Sequence, residues 1–454
     1  MATAALGFAT LPLLTWFCSA EDVGRIAMLN VLSSFCALLF SLGLNQAYVR
    51  EYHEVKDKAM LFRACLLPGL AVLTVALGLS LLLPGALSRM LFSVDSAAIS
   101  AMVALCVWLS FLSIFLSLIL RMQGRGLLFS MGQMLPRAIF LCVIGTYAAF
   151  RFGLSLFHLV AAQTIGLSAA VVTYAWFTRG DWVPAIRGKI DKKLLKQMLA
   201  FGAPLILSGV AFWGLTAMDK VFLRKFSTYE ELGIYSVSVS FAGAAIIFQS
   251  IFSTIWAPMV YQWVNEGVEP ARIHRVTELV LAIVLALFGI IGIFSWAVTW
   301  ILPIQYERVQ YLLLACMAYP LFYTLSETTV VGIGIARKSG YAMWASLVAV
   351  LVNLLGNYLM VPTMGATGAA IATAIAFWVF LVLRTELSIR AWKPMPRLKI
   401  YGSTLFCLCM VILVSIFGKE YGWFFQLIWT LLFLIMALKQ RHIILKLLEK
   451  ARFI

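Results

Sequence analysis

Residues 98–120 decide the fold class, and they read AISAMVALCVWLSFLSIFLSLIL, with no charged residue among them. An α-helix needs about 20 predominantly apolar residues to cross the roughly 30 Å hydrocarbon core of a bilayer. The apolar residues follow one another in this run, whereas a half-buried strand would alternate them with polar ones. Backbone polar groups in lipid are satisfied only within helices or closed barrels. The run therefore predicts a membrane-spanning helix.

The rest of the chain repeats this pattern. Of its 454 residues, 63% are hydrophobic and 12% are charged, and the mean hydropathy is +0.97. A water-soluble domain carries roughly 25% charged residues, so the composition excludes a soluble globular protein. It predicts an all-α polytopic membrane protein with about 14 transmembrane helices, over residues 2–19, 26–47, 61–84, 98–120, 127–150, 154–177, 199–223, 233–258, 277–302, 310–335, 341–362, 366–389, 400–417 and 422–438.

The basic residues indicate the orientation of these spans. The chain has 35 Lys and Arg against 19 Asp and Glu, a net charge of +16. Alternate loops and the C-terminal tail together hold 26 basic residues, when Arg63 and Arg384 are counted among the loops. The loops on the opposite side hold 7, and the remaining two, Arg137 and Lys220, lie within spans. The positive-inside rule then predicts that both termini are cytoplasmic. Topology explains the positive charge, so we predict no nucleic-acid partner.

The cysteines, histidines and loops give no sign of an enzyme. The four histidines are scattered over loops and span ends, so no catalytic triad or metal set can be assembled from them. No loop exceeds about 20 residues, which leaves no room for a soluble catalytic domain. We therefore predict a non-enzyme without a cofactor. We also predict neither a metal site nor a disulfide framework, because every cysteine lies in an apolar run: Cys18, Cys36, Cys65, Cys106, Cys142, Cys316, Cys407 and Cys409.

An internal repeat indicates a duplication. Residues 20–26 read AEDVGRI and residues 229–235 read YEELGIY, an offset of 209, and each copy precedes the second span of a six-span block. Two glycine landmarks recur at similar offsets of 214 and 212, in the pairs Gly126 with Gly340 and Gly153 with Gly365. A six-span unit enters the membrane the same way in both copies, so the copies are related by a pseudo-twofold axis along the membrane normal.

The repeat predicts the domain organisation. We expect an N-terminal six-helix lobe over residues 1–180 and a second six-helix lobe over residues 199–390. Between them lies a basic cytoplasmic linker over residues 181–198, and an extra helix pair with a basic cytoplasmic tail follows over residues 391–454. Parallel repeats of this kind are typical of secondary transporters that alternate access to a site between two halves.

Several motifs resemble one transporter family. The motifs are SLGLNQAYVR at 41–50, FGAP at 201–204, EELGIY at 230–235, NLLGN at 353–357 and VPTMGATGAAIAT at 361–373. They resemble the polysaccharide transporter branch of the multidrug/oligosaccharidyl-lipid/polysaccharide exporter superfamily, which includes the Wzx-type O-antigen and capsule flippases. The resemblance covers residues 1–390, although the chain begins without the family's usual short basic leader and the helix pair after residue 399 is not universal in the branch.

The resemblance implies a fold and a function. It implies two six-helix lobes in a V with a polar central cavity, which move an undecaprenyl-diphosphate-linked oligosaccharide by alternating access across the bacterial inner membrane. The product would serve O-antigen, capsule or exopolysaccharide synthesis. The partners would be this substrate, membrane lipid, a proton or sodium ion, and a polysaccharide polymerase. The alternative within the same fold is a cation-coupled exporter of drugs or small solutes.

Three cations are candidate contacts for the pyrophosphate of such a substrate. Arg137 lies in mid span, with Gln133 one turn before it on the same face, and a planar guanidinium matches phosphate oxygens. The alternative for Arg137 is a structural pair with a neighbouring helix, such as the one that carries Glu327. Arg50 and Lys220 would stand near the two ends of the cavity. Alternatively, Arg50 is only a charge that sets the topology, and Lys220 is only a side chain at the membrane interface that extends its ammonium group to water.

Two acids and four uncharged residues complete the predicted site. Glu327 and Asp219 are candidates for ion coupling, and each is alternatively a counter-charge for a nearby cation. Asn353 and Asn357 share a helix face and could bind sugar hydroxyls, although amides also join helices to each other. The aromatic residues Trp213 and Tyr323 lie on polar faces within spans and are candidates for stacking on sugar rings.

Overall fold

The computed structural model describes residues 10, 14–150, 153–186, 188, 190–267 and 269–439. In these ranges the chain is helical, with two short 3₁₀ turns and without β-strands. The α-helices are α1 Ala20–Phe40, α2 Leu44–Glu51, α3 Lys58–Leu81, α4 Ala86–Phe92, α5 Ala97–Met122, α6 Gly126–Ala149, α7 Leu156–Phe177, α8 Arg179–Ile186, α9 Lys192–Phe226, α10 Tyr229–Phe241, α11 Gly243–Asn265, α12 Pro270–Phe294, α13 Val298–Ile301, α14 Val309–Thr329, α15 Val331–Ile335, α16 Ser339–Met364, α17 Ala366–Ala391 and α18 Leu398–Lys439.

The predicted fold class is confirmed. Within the described ranges, 12 helices are long and apolar enough to cross a membrane. One of them, α18, contains both of the last two predicted spans, which meet at a break in the helix at Tyr421 (φ −122°, ψ 27°). Most of the first predicted span, residues 2–19, lies outside the described residues. The protein is therefore an all-helical, multi-pass membrane protein.

Side-chain caps determine where several helices begin. The Asp57 carboxylate accepts a hydrogen bond from the Met60 backbone at 2.9 Å, and α3 begins at Lys58, the residue after Asp57. The Asp191 carboxylate accepts from the backbone of Lys193 at 2.8 Å and of Leu194 at 3.2 Å. These bonds satisfy amides that a helix start otherwise leaves without partners. They start α9 seven residues before the predicted span at 199–223, so much of the predicted linker is helical.

The first compact unit comprises Met1–Ser236. Its core is built on α2, α3 and α5, with Tyr48, Phe62 and Phe111 almost fully buried. Helix α9 packs against α1 and α2, so the first span of the predicted second lobe belongs to this unit. The compact units divide after Ser236 rather than at residues 181–198, and the predicted lobes and their symmetry stay a prediction.

The prediction that Arg63 is a loop charge was wrong. It lies in α3 with 8% of its surface exposed. Its guanidinium donates hydrogen bonds to the carbonyls of Ala185 at 2.5 Å and Pro184 at 3.2 Å, at the C-terminal end of α8. These carbonyls have no partners inside the helix, so the cation satisfies them and fixes α8 against α3.

The two copies of the repeat contact each other inside the first unit. A Cβ atom added to Gly24 would overlap the carbonyl oxygen of Tyr229, and a Cβ added to Gly233 would overlap the carbonyl oxygen of Ala20. The contact is reciprocal, since Tyr229 and Gly233 stand 209 residues after Ala20 and Gly24. Only glycine allows the two helix starts to approach so closely.

The second compact unit comprises Val237–Ile454, and α14 is its central helix. Helix α14 packs against α11, α12, α17 and α18, and most of its residues are buried. Helices α16 and α17 meet at Gly365, which has a positive φ of 55° that glycine adopts without strain. Polar side chains on α14 therefore face other helices of this unit instead of lipid.

Candidate functional site

A buried ion pair joins two spans of the second unit. The Arg384 Nη1 atom of α17 donates a hydrogen bond to Glu327 Oε1 of α14 at 2.8 Å, and another to Ser326 Oγ at 2.6 Å. The exposed fractions of the Arg384 and Glu327 side chains are 11% and 13%. Such a pair is retained only with good geometry and further hydrogen bonds, because both charges leave water.

Aromatic rings enclose this pair. The guanidinium of Arg384 lies 4.9 Å from the ring centroid of Phe380 and 5.3 Å from that of Tyr323, and the two rings stack at 6.0 Å. The Tyr323 hydroxyl lies beside the Glu327 side chain, and Trp256 Nε1 donates to the Glu327 carbonyl at 3.1 Å. The group is thus a polar site with aromatic walls, and we call it the α14–α17 cluster.

The α14–α17 cluster corrects two predictions. Arg384 was assigned to the cytoplasmic loops, whereas it lies within α17. Glu327 was placed in mid span, whereas it lies two residues before the end of α14. Its counter-charge in the structure is Arg384, a residue of the same unit. The signal for Arg384 was available, because it falls inside the predicted span 366–389 and one turn after Phe380.

The predicted asparagine pair joins α16 to α17. Asn353 and Asn357 are both 0% exposed. Asn353 Nδ2 donates to Thr373 Oγ1 at 3.1 Å, and Asn357 Nδ2 donates to the Asn353 carbonyl at 2.9 Å. The bond from Asn353 to Thr373 crosses from α16 to α17 and fits the alternative that amides join neighbouring helices, whereas the Asn357 bond stays within α16. The role of the pair in substrate binding stays a prediction.

Arg137 and Gln133 share an exposed face of α6 in the first unit. Both side chains are exposed, as is Ser130 one turn earlier, and Arg137 lies near the middle of the helix. The Ser130 hydroxyl donates to the carbonyl of Gly126 at 2.9 Å. The structure therefore keeps the predicted polar face together and turns it away from the packed core of this unit.

The other predicted residues of the first unit lie apart along the helices. Arg50, at the end of α2, is exposed and lies 4.4 Å from the ring centroid of Phe201. Trp213 Nε1 donates to Ser34 Oγ at 3.1 Å. Each contact joins α9 to α1 or α2, so Arg50 and Trp213 contribute to packing while part of each side chain stays accessible.

Asp219 and Lys220 differ in their surroundings. Asp219 is 1% exposed and accepts a hydrogen bond from the Tyr235 hydroxyl of α10 at 2.5 Å. Lys220 is half-buried on another face of α9. Arg224, one turn after Lys220 on α9, donates to Ser93 Oγ at 2.7 Å and to the Leu91 carbonyl at 3.3 Å. The short, charge-assisted bond from the Tyr235 hydroxyl to the Asp219 carboxylate fixes α9 against α10.

The described residues contain no group of three or more His, Cys, Asp or Glu side chains that could hold a metal ion. The polar sites instead offer hydrogen-bond donors, acceptors and aromatic faces. In the first unit these are cations and amides, and in the second unit they are an ion pair with tyrosines. This chemistry suits recognition of a phosphorylated or hydroxylated molecule.

Two named proteins are similar to about half of this chain. A probable low-salt glycan biosynthesis flippase, Agl15 of Haloferax volcanii, is 23% identical over 225 residues, 48% of this chain and 47% of that protein. A probable multidrug resistance protein, NorM of Bacillus anthracis, is 24% identical over 223 residues, 46% of this chain and 48% of that protein. The chain thus spans about half the length of each of these relatives.

Solved structures share the fold over nearly the whole chain. A structure described as lipid II flippase MurJ in an inward closed conformation matches with a TM-score of 0.69 and 15% identity, over 97% of this chain and 98% of that one. A multidrug resistance MATE family transporter in an inward-facing conformation matches with a TM-score of 0.63 and 13% identity, over 88% and 96%. The family model described as "Polysaccharide biosynthesis protein" matches residues 1–264, more than half of the sequence. The chain therefore belongs to the polysaccharide biosynthesis protein family.

Proposed function

We propose that this protein is a flippase that moves an undecaprenyl-diphosphate-linked oligosaccharide repeat unit across the bacterial inner membrane by alternating access. The translocated unit would serve O-antigen, capsule or exopolysaccharide synthesis, and a polysaccharide polymerase would receive it. One observation carries the proposal, the exposed Arg137 in the middle of a spanning helix. The family of the chain and its similarity to a glycan biosynthesis flippase support the substrate class.

An arginine in mid membrane requires a reason. Inserting one costs about 2.5–3.5 kcal/mol on translocon scales, so such residues face a cavity or a partner and mark pathways for polar substrates. A guanidinium presents fixed N–H donors that match the oxygens of a pyrophosphate. Gln133, one turn away, adds an amide that can donate to the same group. Arg137 would therefore bind the pyrophosphate while the polyprenyl tail stays in lipid.

The remaining predicted residues would act along the same route. Arg50 at the cytoplasmic end and the half-buried Lys220 would attract the phosphate at entry and at exit. Trp213 and Tyr323 would stack on sugar rings, whose apolar faces match aromatic side chains. Asn353 and Asn357 would supply amides to sugar hydroxyls if the helices around them separate.

The experiment that tests the proposal replaces Arg137 in proteoliposomes that contain a fluorescent undecaprenyl-diphosphate disaccharide. We expect Arg137→Ala to lower the translocation rate about tenfold to a hundredfold, because a hydrogen bond to a charged group contributes about 1.5–3 kcal/mol. Arg137→Lys should retain part of the rate, since it keeps the charge without the planar donors. Arg121→Ala is the control, an exposed arginine in the last turn of α5. An Arg137→Ala rate equal to that of the control removes Arg137 from the mechanism.

A cation-coupled exporter of drugs or small solutes is the second candidate, and the similarity to NorM favours it. Glu327 and Asp219 would then be the coupling acids, each bonded to a neighbouring side chain. In this case Glu327→Gln should flatten the dependence of transport on a proton or sodium gradient, measured by solute efflux from vesicles at fixed membrane potential. A dependence equal to that of the wild type would discard Glu327 as a coupling group.

A further inference from the structure

Two buried oxygen atoms on α11 have no hydrogen-bond partner among the described residues. They are Gln249 Oε1 and Ser253 Oγ. Gln249 is 8% exposed, and the two residues are one helical turn apart, on one face. A buried polar atom without a partner destabilises a protein, most of all in a membrane span where water is scarce. Such atoms persist where another molecule can bind them.

The orientation of Ser253 is unusual for a helix hydroxyl. Serine and threonine in helices commonly donate to the carbonyl four residues earlier. The neighbouring Thr254 does so, with its hydroxyl 2.8 Å from the Ser250 carbonyl. The Ser253 hydroxyl makes no such bond. Its hydrogen-bonding capacity is therefore unused, like that of Gln249 Oε1 on the same side of α11.

The surroundings of these two residues are aromatic. The Gln249 side chain lies beside the Tyr319 hydroxyl of α14, and the Tyr319 ring packs on Phe377 at 4.4 Å. The Tyr319 and Tyr323 rings are 6.5 Å apart, so this site continues into the α14–α17 cluster. Phe252 and Trp256 stack at 5.5 Å on either side of Ser253 in sequence.

Aromatic faces beside an unpaired amide oxygen and a hydroxyl suit one class of ligand. A sugar ring presents apolar C–H faces that pack on aromatic rings, and hydroxyl groups that donate and accept hydrogen bonds. The only charges at the neighbouring cluster are those of the Arg384–Glu327 pair, which bond to each other. Neither a phosphate nor a metal ion would find a matching free charge at α11.

We propose that Gln249 and Ser253 bind hydroxyl groups of a sugar ring of the transported molecule. Gln249 Oε1 accepts a hydrogen bond from one sugar hydroxyl, and Ser253 Oγ exchanges one with a second. This inference rests on the proposed function and deepens it, because it names two further side chains, both in the second unit, that would recognise the sugar.

The test measures the binding of two lipids to the purified full-length protein in nanodiscs. One probe is undecaprenyl diphosphate, and the other is the same lipid carrying a disaccharide. In the wild type the sugar should raise the affinity. Gln249→Leu and Ser253→Ala should each lower the affinity for the sugar-bearing lipid by roughly tenfold and leave the affinity for the sugar-free lipid unchanged. Thr254→Ala is the matched control, since its hydroxyl is already satisfied by its own helix.

The outcomes separate the possible explanations. An equal loss of affinity for both lipids in the Gln249 and Ser253 variants would overturn the inference, because the residues would then act through the fold. An unchanged preference for the sugar-bearing lipid would also overturn it and leave a buried water as the ligand of both oxygens. A wild type that binds the two lipids equally well contradicts the sugar site but not the flippase proposal. A wild type that binds neither contradicts both.

Discussion

Arg384→Ala lowers the free energy of unfolding by about 3–5 kcal/mol, the range for removing one partner of a buried ion pair. The loss is large because the Glu327 side chain, 13% exposed, loses its counter-charge, while the hydrogen bonds from Arg384 to Glu327 Oε1 and to Ser326 Oγ disappear. The packing of the guanidinium on Phe380 and Tyr323 is lost at the same time. Denaturant unfolding in mixed micelles, followed by tryptophan fluorescence, measures this change.

A double variant separates the charge from the rest of the side chain. Arg384→Met with Glu327→Gln removes both charges and keeps most of the volume, so it should recover most of the lost stability. Arg390→Ala is the matched control, an exposed arginine in the last turn of the same helix. We expect the control to change stability by less than about 0.5 kcal/mol. If Arg384→Ala matches it, the ion pair does not stabilise the protein.

Gly233→Val lowers the free energy of unfolding by about 3 kcal/mol or more, above the usual range for overpacking. The reason is geometric, since the added Cβ meets a backbone carbonyl, that of Ala20, and a backbone group cannot change rotamer to make room. The same unfolding measurement applies. Gly243→Ala is the control, because nothing lies within 4 Å of its added Cβ, and it should be neutral or slightly stabilising.

The reciprocal form of the contact adds a sharper test. Gly24→Ala and Gly233→Ala both force the same two helix starts apart. Once one substitution has separated them, the second meets less resistance, so the double variant should lose less stability than the two single losses combined. Additive losses would mean that the two glycines act independently and that the contact is not a single interface.

The sequence predicted the helices well because hydrophobic runs of sufficient length have few other structures available in lipid. It located spans to within a few residues where a cap such as Asp57 follows a polar loop. It missed the division of the eighth span at Ala242, which lies between the end of α10 at Phe241 and the start of α11 at Gly243, because hydropathy does not change there. It also missed the early start of α9, because lysine side chains obscured a helix that continues beyond the membrane.

The site was harder to predict than the fold, for a related reason. Average hydropathy hides one charge among many apolar neighbours, so Arg384 was assigned to a loop although it lies in α17. Pairings such as Tyr235 with Asp219 depend on which helices are neighbours, and one sequence contains little information about that. The polar face of Gln133 and Arg137 was predictable, because both residues lie on one helix with the spacing of one turn.

The Gly24–Gly233 contact also bears on the ancestry of the chain. Gly24 contacts Tyr229, which is the counterpart of Ala20 in the second copy of the repeat, and Gly233 contacts Ala20 itself. This is the pattern of an isologous dimer, in which the same surface of each subunit forms the contact. A half-length precursor carrying one copy of this segment would have used the same surface to bind a second molecule of itself. Gene fusion would then have joined a pre-existing homodimer and left its symmetric seam inside a single polypeptide.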